Sequence, residues 1–164
     1  MKVLKFFIVC FFLNSCGIEG VNIERWAVLP VKIQIDDDRD LAVVEFINSK
    51  FSDDVLSPGE SGDIEIQIVE KVSNPLALAE TYTKFNSEGI VSALIEIEES
   101  AFVSDEDQWY FLVLIHELGH AFGAPHMDTG IMREKVPHGT KNIDEKVEPL
   151  IDWIVENYDV ERAQ

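Results

Sequence analysis

The sequence is poor in cysteine and in positive charge. Only two of its 164 residues are cysteines, and 13 Lys and Arg residues stand against 31 Asp and Glu residues, for a net charge of −18. Two cysteines are too few for a disulfide-stapled scaffold. An acidic surface repels nucleic-acid phosphates, so we expect no nucleic-acid partner. The length suits a single domain with a sizeable core, and no internal repeat is visible.

Long apolar runs are also scarce, and the run near the N-terminus, residues 6–13, is too short to span a bilayer. Two lysines precede this run, and a Leu-Asn-Ser-Cys tetrapeptide ending at Cys16 follows it. The arrangement predicts a bacterial lipoprotein signal peptide over residues 1–15, with cleavage before Cys16 and acylation of its thiol. A plain signal peptide that is cut nearby is the alternative.

Removal of this peptide would leave one domain on a tether. Residues 16–29 are expected to form the tether and residues 30–164 the folded domain. Cys16 would be the only cysteine left, so no internal disulfide could form in an oxidising compartment. We therefore expect a monomer that is lipid-anchored through Cys16 to the cell envelope and faces the periplasm or the exterior. The protein would be secreted if Cys16 is not acylated.

Three of the four histidines lie in the pattern H-E-x-x-H-x-x-G-x-x-H, at His116, His120 and His126. The first two are four residues apart, so one helix face can carry both imidazoles to a single ion. Glu117 lies beside the first of them, where it can reach a water on the metal. Gly123 tolerates positive φ and can turn the chain so that His126 returns as a third ligand. The pattern therefore predicts a metal site; three unrelated histidines are the alternative.

This extended pattern resembles that of the metzincin clan of zinc metalloproteases, which also carry a methionine turn after the third histidine. The segment Gly130-Ile131-Met132 is similar to that turn, and the resemblance implies Met132 as the methionine below the metal. Ordinary core packing is the alternative for Met132. Met127 follows the third histidine too closely for this role and is assigned to packing or to the rim. The residue types at Met127 and Glu134 leave the subfamily open, although a compact chain without disulfides looks most like bacterial matrixins.

Alternating apolar residues predict four strands, of which the third is the weakest. Residues rich in Ser, Pro and Gly between positions 57 and 62 are assigned to a loop. A turn is predicted at residues 86–89. The strands are expected within residues 26–35, 64–68, 76–83 and 91–97.

Helical spacing of apolar residues predicts a first helix over residues 40–51. Four aspartates precede it or lie at its start, namely Asp36, Asp37, Asp38 and Asp40. They favour a strand-to-helix turn, because the acids match no EF-hand loop and stand before an apolar-periodic segment. A calcium site is the alternative.

Two further helices are predicted. The motif helix is expected to follow Ser104 as its N-cap, and its apolar run at residues 111–115 indicates a helix buried between layers. A terminal helix is predicted over residues 147–158. Since proline is tolerated only in the first turn of a helix, Pro149 places the start of this helix near Glu148.

This order of elements is similar to a minimal metzincin catalytic domain. The resemblance implies an α+β fold with a twisted mixed sheet of about four strands packed on two helices, and a C-terminal helix below the zinc site. In that clan the strand before the motif helix borders the cleft and pairs with the substrate backbone. The resemblance thus implies that Val91, Ala93 and Ile95 bind substrate, with an ordinary half-buried strand as the equal alternative.

The function implied is that of a zinc endopeptidase. The three motif histidines would hold Zn²⁺, and Glu117 would act as general base in the hydrolysis of extended proteins or peptides. The alternatives are a non-catalytic zinc-binding lipoprotein and a zinc amidase acting on cell-wall cross-links. Structural zinc sites usually have four protein ligands, and no fourth is evident apart from Asp128 as a candidate. His138 stands either in an exposed loop or in a specificity pocket.

Overall fold

Five strands form one mixed sheet, packed with three α-helices, in a computed structural model that describes residues 25–102, 107–136 and 142–163. The predicted α+β class is confirmed. Within these ranges no helix is long and apolar enough to cross a membrane. In chain order the elements are β1 Val31–Gln34, α1 Asp38–Asn48, β2 Leu56–Gly59, β3 Ile64–Val69, β4 Ala79–Asn86, β5 Gly89–Glu98, a 3₁₀ turn Glu99–Phe102, α2 Asp107–Ala121 and α3 Ile143–Tyr158.

The strand order in the sheet is β2-β1-β3-β5-β4, and only β4 runs antiparallel to its neighbour. The strands alternate between buried and exposed residues, as in β3, where Ile64 is fully buried and Glu65 is exposed. One sheet face therefore packs against the core, while the other carries polar side chains. β4 lies at an edge and contacts α2, the helix that carries the histidine motif.

The sheet has five strands rather than about four, because the predicted loop at residues 57–62 begins with β2. The side chain of Asn48, at the end of α1, accepts hydrogen bonds from the Val55 and Leu56 amides at 3.1 and 3.0 Å. It also donates to the Leu56 carbonyl at 2.8 Å, and Leu56 is fully buried. Pro58 is tolerated because β2 is an edge strand. The hydrogen bonds from Asn48 of α1 thus hold this strand in place. The Ser-Pro-Gly pattern of the strand itself does not indicate them.

The implied position of the substrate-binding strand is wrong. Val91, Ala93 and Ile95 belong to β5, which pairs with β3 on one side and with β4 on the other. Ala93 and Ile95 are buried in the core, and only Val91 is substantially exposed. Both edges of an interior strand are already hydrogen-bonded, so β5 has none to offer a peptide. The edge on this side of the sheet is β4.

Helix α3 begins at Ile143, about a turn before the position expected from Pro149, which lies inside the helix. The proline has no N–H group, so the helix has one backbone donor fewer in this turn. In that turn the carbonyl of Lys146 accepts a hydrogen bond from the Ile131 amide at 2.6 Å. The early start was missed because this partner comes from a distant loop. The expected position of the C-terminal helix is consistent with this docking, since the loop also carries Met132.

The aspartates near α1 form a helix start, as the sequence indicates. Asp37 is the N-cap, and its side chain accepts a hydrogen bond from the Arg39 amide at 2.6 Å. Asp40 is buried and accepts a hydrogen bond from the hydroxyl of Tyr110 in α2. Burial is the main cause that raises the pKa of Asp40. This buried hydrogen bond ties α1 to the motif helix.

Helix α2 is surrounded by the core, which confirms the prediction from its apolar run. Buried side chains lie on every side of it, among them Leu112, Val113, Leu114, Ile115 and Leu118. A helix buried on all sides is held by side-chain packing rather than by its own propensity. Its predicted N-cap, Ser104, lies outside the described residues.

Candidate metal centre

The structure brings His116, His120 and His126 together. Each offers one ring nitrogen, and the three ligand atoms lie within 4.8 Å of one another. The Nε2 atom of His120 is 3.1 Å from that of His116 and 3.1 Å from that of His126. Among the described residues no carboxylate or further histidine joins this group, and Asp128 is exposed outside it. Within residues 25–102, 107–136 and 142–163 the cluster therefore provides three protein ligands.

A glycine turn at the end of α2 carries the third histidine back to the first two. Gly123 has φ of +90°, the left-handed conformation that glycine adopts without strain. Its amide donates to the His120 carbonyl at 2.9 Å, and the Ala124 amide donates to the Gly119 carbonyl at 2.9 Å. This pair of hydrogen bonds is the Schellman arrangement of a helix C-terminus. The expected role of Gly123 is confirmed.

Two aromatic side chains cap the remaining carbonyls at this helix end. The indole Nε1 of Trp26 donates to the Ala121 carbonyl at 2.8 Å, and the Tyr158 hydroxyl donates to the Phe122 carbonyl at 2.5 Å. The amide of Trp26 in turn donates to the Tyr158 hydroxyl at 3.2 Å. The turn is thus fixed from outside by the segment before β1 and by α3, because helix-end carbonyls need such partners when buried.

Hydrogen bonds to backbone carbonyls determine which ring nitrogens carry protons. Nδ1 of His116 lies 2.8 Å from the Ile131 carbonyl, and Nδ1 of His120 lies 2.9 Å from the Ala124 carbonyl. A carbonyl only accepts, so each Nδ1 must donate, and Nε2 of the neutral ring then carries a lone pair. The 3.1 Å contact between the Nε2 atoms of His116 and His120 consequently brings two lone pairs together with no proton between the neutral rings.

A cation resolves this repulsion, and the spacing suits zinc. Bonds of about 2.0–2.1 Å at tetrahedral angles place ligand nitrogens about 3.3–3.4 Å apart. The Nε2 separations of 3.1 Å differ little from that value. The donor set of three imidazoles, oriented by carbonyls behind them, is also one that zinc accepts. The residues present therefore fit a zinc ion.

Burial keeps the two helix-borne histidines neutral. Desolvation is the main cause that lowers the pKa of His116 below its ordinary value. It lowers the pKa of His120 to about 3, with the neighbouring His116 as a second cause. A metal ligand must be deprotonated, so both rings are in their binding form at neutral pH.

Glu117 is buried beside the first ligand, and its side chain reaches toward the sheet edge. Its Oε2 atom accepts a hydrogen bond from the hydroxyl of Thr81 in β4 at 2.6 Å. Burial raises the pKa of Glu117 to about 7, while the Thr81 hydrogen bond opposes that rise. A carboxyl group with a pKa near neutrality can both accept and return a proton. Thr81 was missed from the sequence, where nothing local distinguishes it.

Met132 lies fully buried against α2. A Cβ added at Gly119 would be 2.3 Å from the Sδ atom of Met132, so the methionine touches the helix next to His120. The carbonyl of Met132 accepts a hydrogen bond from the Met127 amide at 2.8 Å, which closes the loop between them. Met127 is partly buried against the core. The assignment of Met132 as a methionine-turn residue stays a prediction.

Several expectations fall outside the described residues. They concern the signal peptide, the acylated Cys16 and His138. No protein-family model matches the chain, and no curated protein matches it. The likeness to metzincins therefore rests on the histidine motif and on the residues around it.

Proposed function

We propose that the protein is a metzincin-like zinc endopeptidase that hydrolyses peptide bonds in extended proteins or peptides. The convergence of three histidine rings, two of them with an unprotonated Nε2 atom, beside the buried carboxyl group of Glu117 carries this proposal. His116, His120 and His126 would hold the ion. Zinc with three histidine ligands keeps a position for water, lowers the pKa of that water toward about 7 and polarises the scissile carbonyl.

Glu117 is the proposed general base. It takes a proton from the attacking water as the water oxygen bonds to the carbonyl carbon, and it delivers that proton to the amine as the C–N bond breaks. Its oxygen Oε2 is engaged by Thr81, which leaves Oε1 for this exchange. Burial favours the protonated form between the two transfers, and this matches the raised pKa of the group.

The edge strand β4 is the proposed site for the substrate backbone. In the part of the chain that the structure describes, β4 pairs only with β5, so its outer edge has no strand partner. An extended peptide can add to such an edge through main-chain hydrogen bonds, which do not depend on the peptide's sequence. Thr81 of this strand touches Glu117, so a peptide bound there would lie beside the proposed base. This replaces the role inferred for β5.

The cellular setting is part of the same proposal and is supported by the sequence alone. The features of residues 1–16 favour a protein held by lipid at Cys16 in the cell envelope, or a secreted enzyme without the lipid. Met132 is proposed as the apolar floor under the ligands, and its burial against Gly119 supports that role.

Cleavage of an unfolded protein by the zinc-loaded full chain tests the proposal. The matched variant is Glu117→Gln, which keeps the size of the side chain and an acceptor for Thr81. We expect turnover to fall by about 10²–10⁴-fold in the variant while zinc content stays at the wild-type level. A chelator should abolish wild-type cleavage.

Two results would contradict the endopeptidase proposal. One is wild-type turnover in Glu117→Gln. The other is a zinc-loaded wild-type protein that leaves unfolded proteins intact. A parallel incubation with peptidoglycan then distinguishes the two alternative functions. Released cell-wall fragments would indicate a zinc amidase, and the absence of such fragments would indicate a non-catalytic zinc-binding protein.

A further inference from the structure

Thr81 is the side chain from outside the histidine motif that the structure places on Glu117. Its hydroxyl oxygen lies 2.6 Å from Oε2 of the carboxyl group and 3.1 Å from the main-chain oxygen of the same residue. A hydroxyl group has one proton to donate, so the shorter contact is the principal hydrogen bond and the longer one is secondary. The two residues are 36 positions apart in the chain, so the contact is made by the fold.

The backbone around Thr81 holds this hydroxyl in one direction. Thr81 sits within the antiparallel ladder between β4 and β5, opposite Ile95, which is fully buried. A β-branched residue in a strand has restricted rotation about its Cα–Cβ bond, so the pairing of the strand largely determines where the hydroxyl group of Thr81 points. Glu117 is equally constrained, since its helix is packed on all sides and only 6% of the residue is exposed.

The hydrogen bond also distinguishes the two carboxyl oxygens of Glu117. Among the described residues one hydrogen bond reaches this carboxyl group, and it ends on Oε2 rather than on Oε1. A carboxylate held at one oxygen can rotate little about its terminal bond, and its second oxygen is then fixed in direction. A general base has to be within hydrogen-bond reach of the proton that it accepts, so this direction bears on the rate.

We propose that Thr81 is a positioning residue, whose hydroxyl holds Oε2 of Glu117 and so directs Oε1 toward the water that attacks the substrate. The inference rests on the proposed function. It adds that the sheet edge proposed to pair with the peptide also orients the base. Both hydrogen bonds of the Thr81 hydroxyl reach Glu117, and neither reaches one of the proposed histidine ligands.

The test compares Thr81→Val, which keeps the shape and removes the hydroxyl, with Thr81→Ser, which keeps the hydroxyl. We expect Thr81→Val to lower kcat by about 10- to 100-fold, the range found for outer hydrogen-bond partners of metal sites. KM and zinc affinity should stay within about threefold, because the valine preserves the strand and touches no ligand. Thr81→Ser should restore kcat to within about threefold of the wild type.

A second measurement needs no turnover. Acetohydroxamate chelates zinc through two oxygens and hydrogen-bonds a neighbouring carboxylate, so its affinity for the zinc-loaded full chain reports the direction of Glu117. We expect about a tenfold loss of affinity in Thr81→Val and none in Thr81→Ser. In a Glu117→Gln background, Thr81→Val should change the affinity by less than about twofold, because the carboxylate that accepts the hydroxamate's proton is then absent.

Failure of this inference differs from failure of the proposed function. Wild-type kcat and wild-type hydroxamate affinity in Thr81→Val would overturn the positioning role. Equal losses in the Val and Ser variants, together with reduced stability, would overturn it as well and indicate a packing role. If the zinc-loaded wild type cleaves nothing, the proposed function fails, whereas the hydroxamate series still decides whether Thr81 directs Glu117.

Discussion

The candidate metal centre has a helix-borne half and a loop-borne half, and the two are held by different forces. His116, His120 and Glu117 project from α2, a helix enclosed by apolar side chains. His126 is exposed and lies in the loop between Gly123 and Met132, which is held mainly by backbone hydrogen bonds. The core thus fixes the positions of the helix-borne side chains with or without bound metal. The position of the loop-borne histidine depends on a few turn residues.

Several contacts join the two halves, among them the hydrogen bond from Nδ1 of His120 to the Ala124 carbonyl at 2.9 Å. Nδ1 of His116 donates to the Ile131 carbonyl at 2.8 Å, and Met132 packs against Gly119. The same loop docks on α3 through the Ile131 amide. A disturbance in the loop should therefore reach the metal ligands, whereas a small disturbance in the helix should be absorbed by packing.

Alanine at Gly130 should have the largest effect among the changes that separate the two halves. Gly130 has φ of +72°, and an added Cβ would lie 2.5 Å from the Lys146 carbonyl oxygen and 2.8 Å from the ring of Pro149. Left-handed strain of about 1–2 kcal/mol and disruption of the adjacent Ile131 hydrogen bond should together cost about 3 kcal/mol or more. We expect zinc affinity to fall by at least about tenfold, because the loop carries a ligand.

Alanine at Gly119 is the matched change in the helix. The added Cβ would meet the side chain of Met132, which is flexible, rather than backbone. Overpacking costs about 1–3 kcal/mol, and the better helix propensity of alanine returns about 1 kcal/mol. Urea unfolding and zinc titration should show a loss of about 1 kcal/mol and an affinity within a few-fold of the wild type. Equal losses for the two alanine variants would remove the distinction between the halves.

Glu117 should make the helix-borne half less stable at high pH when no metal is present. Its pKa is raised to about 7 by burial, from an ordinary value of 4.5. The folded state therefore favours the protonated carboxyl group. Its contribution to the free energy of unfolding is fully present at pH values below the pKa of the unfolded chain, and it is lost as pH rises through about 7. Glu117→Gln should stabilise the metal-free protein by about 3 kcal/mol at pH 8 and by about 1 kcal/mol or less at pH 5.

Urea unfolding of the metal-free wild type and Glu117→Gln at these two pH values measures the effect. The histidines are present in both proteins, so their titration cancels in the difference. A gain that is the same at both values of pH would mean that the carboxyl group is not held in its protonated form by the fold.

A small effect is also expected from the side-chain caps of the turn. Tyr158→Phe removes the hydroxyl that donates to the Phe122 carbonyl and accepts from the Trp26 amide. The loss of these bonds should cost about 1–2 kcal/mol, since one buried carbonyl loses its partner. Zinc affinity should fall only a few-fold, because the Schellman hydrogen bonds of the turn remain. A loss as large as that of the Gly130 variant would place the weak point of the loop-borne half at this cap.

The sequence predicts the parts of the site that are local in the chain. The spacing of the ligands, the turn at Gly123 and the buried motif helix all depend on neighbours within a few residues, and the structure contains each of them. The parts that were missed depend on distant partners. They include β2, which Asn48 holds, the early start of α3, where Ile131 docks, and the contact of Thr81 with Glu117.

The assignment of the substrate-binding strand to β5 depended on strand order, which the sequence does not supply. Periodicity identified β5 as a strand, but an alternating pattern carries no information on which neighbours a strand pairs with. The interior position of β5 and the edge position of β4 follow only from the pairing of the whole sheet. The residue that touches Glu117 therefore lies in the strand with the weakest local pattern.

Zinc binding by the purified full chain tests the central claim most directly, with His120→Asn as the comparison. Nε2 of His120 lies 3.1 Å from both other ligand nitrogens, so its removal should disrupt the cluster. Isothermal titration should give one zinc per wild-type chain. The affinity of the variant should be at least about a hundredfold lower, because a zinc-binding free energy of about 10–16 kcal/mol is shared among three or four ligands. Substoichiometric binding by the wild type, or equal affinity in His120→Asn, would contradict a three-histidine zinc centre.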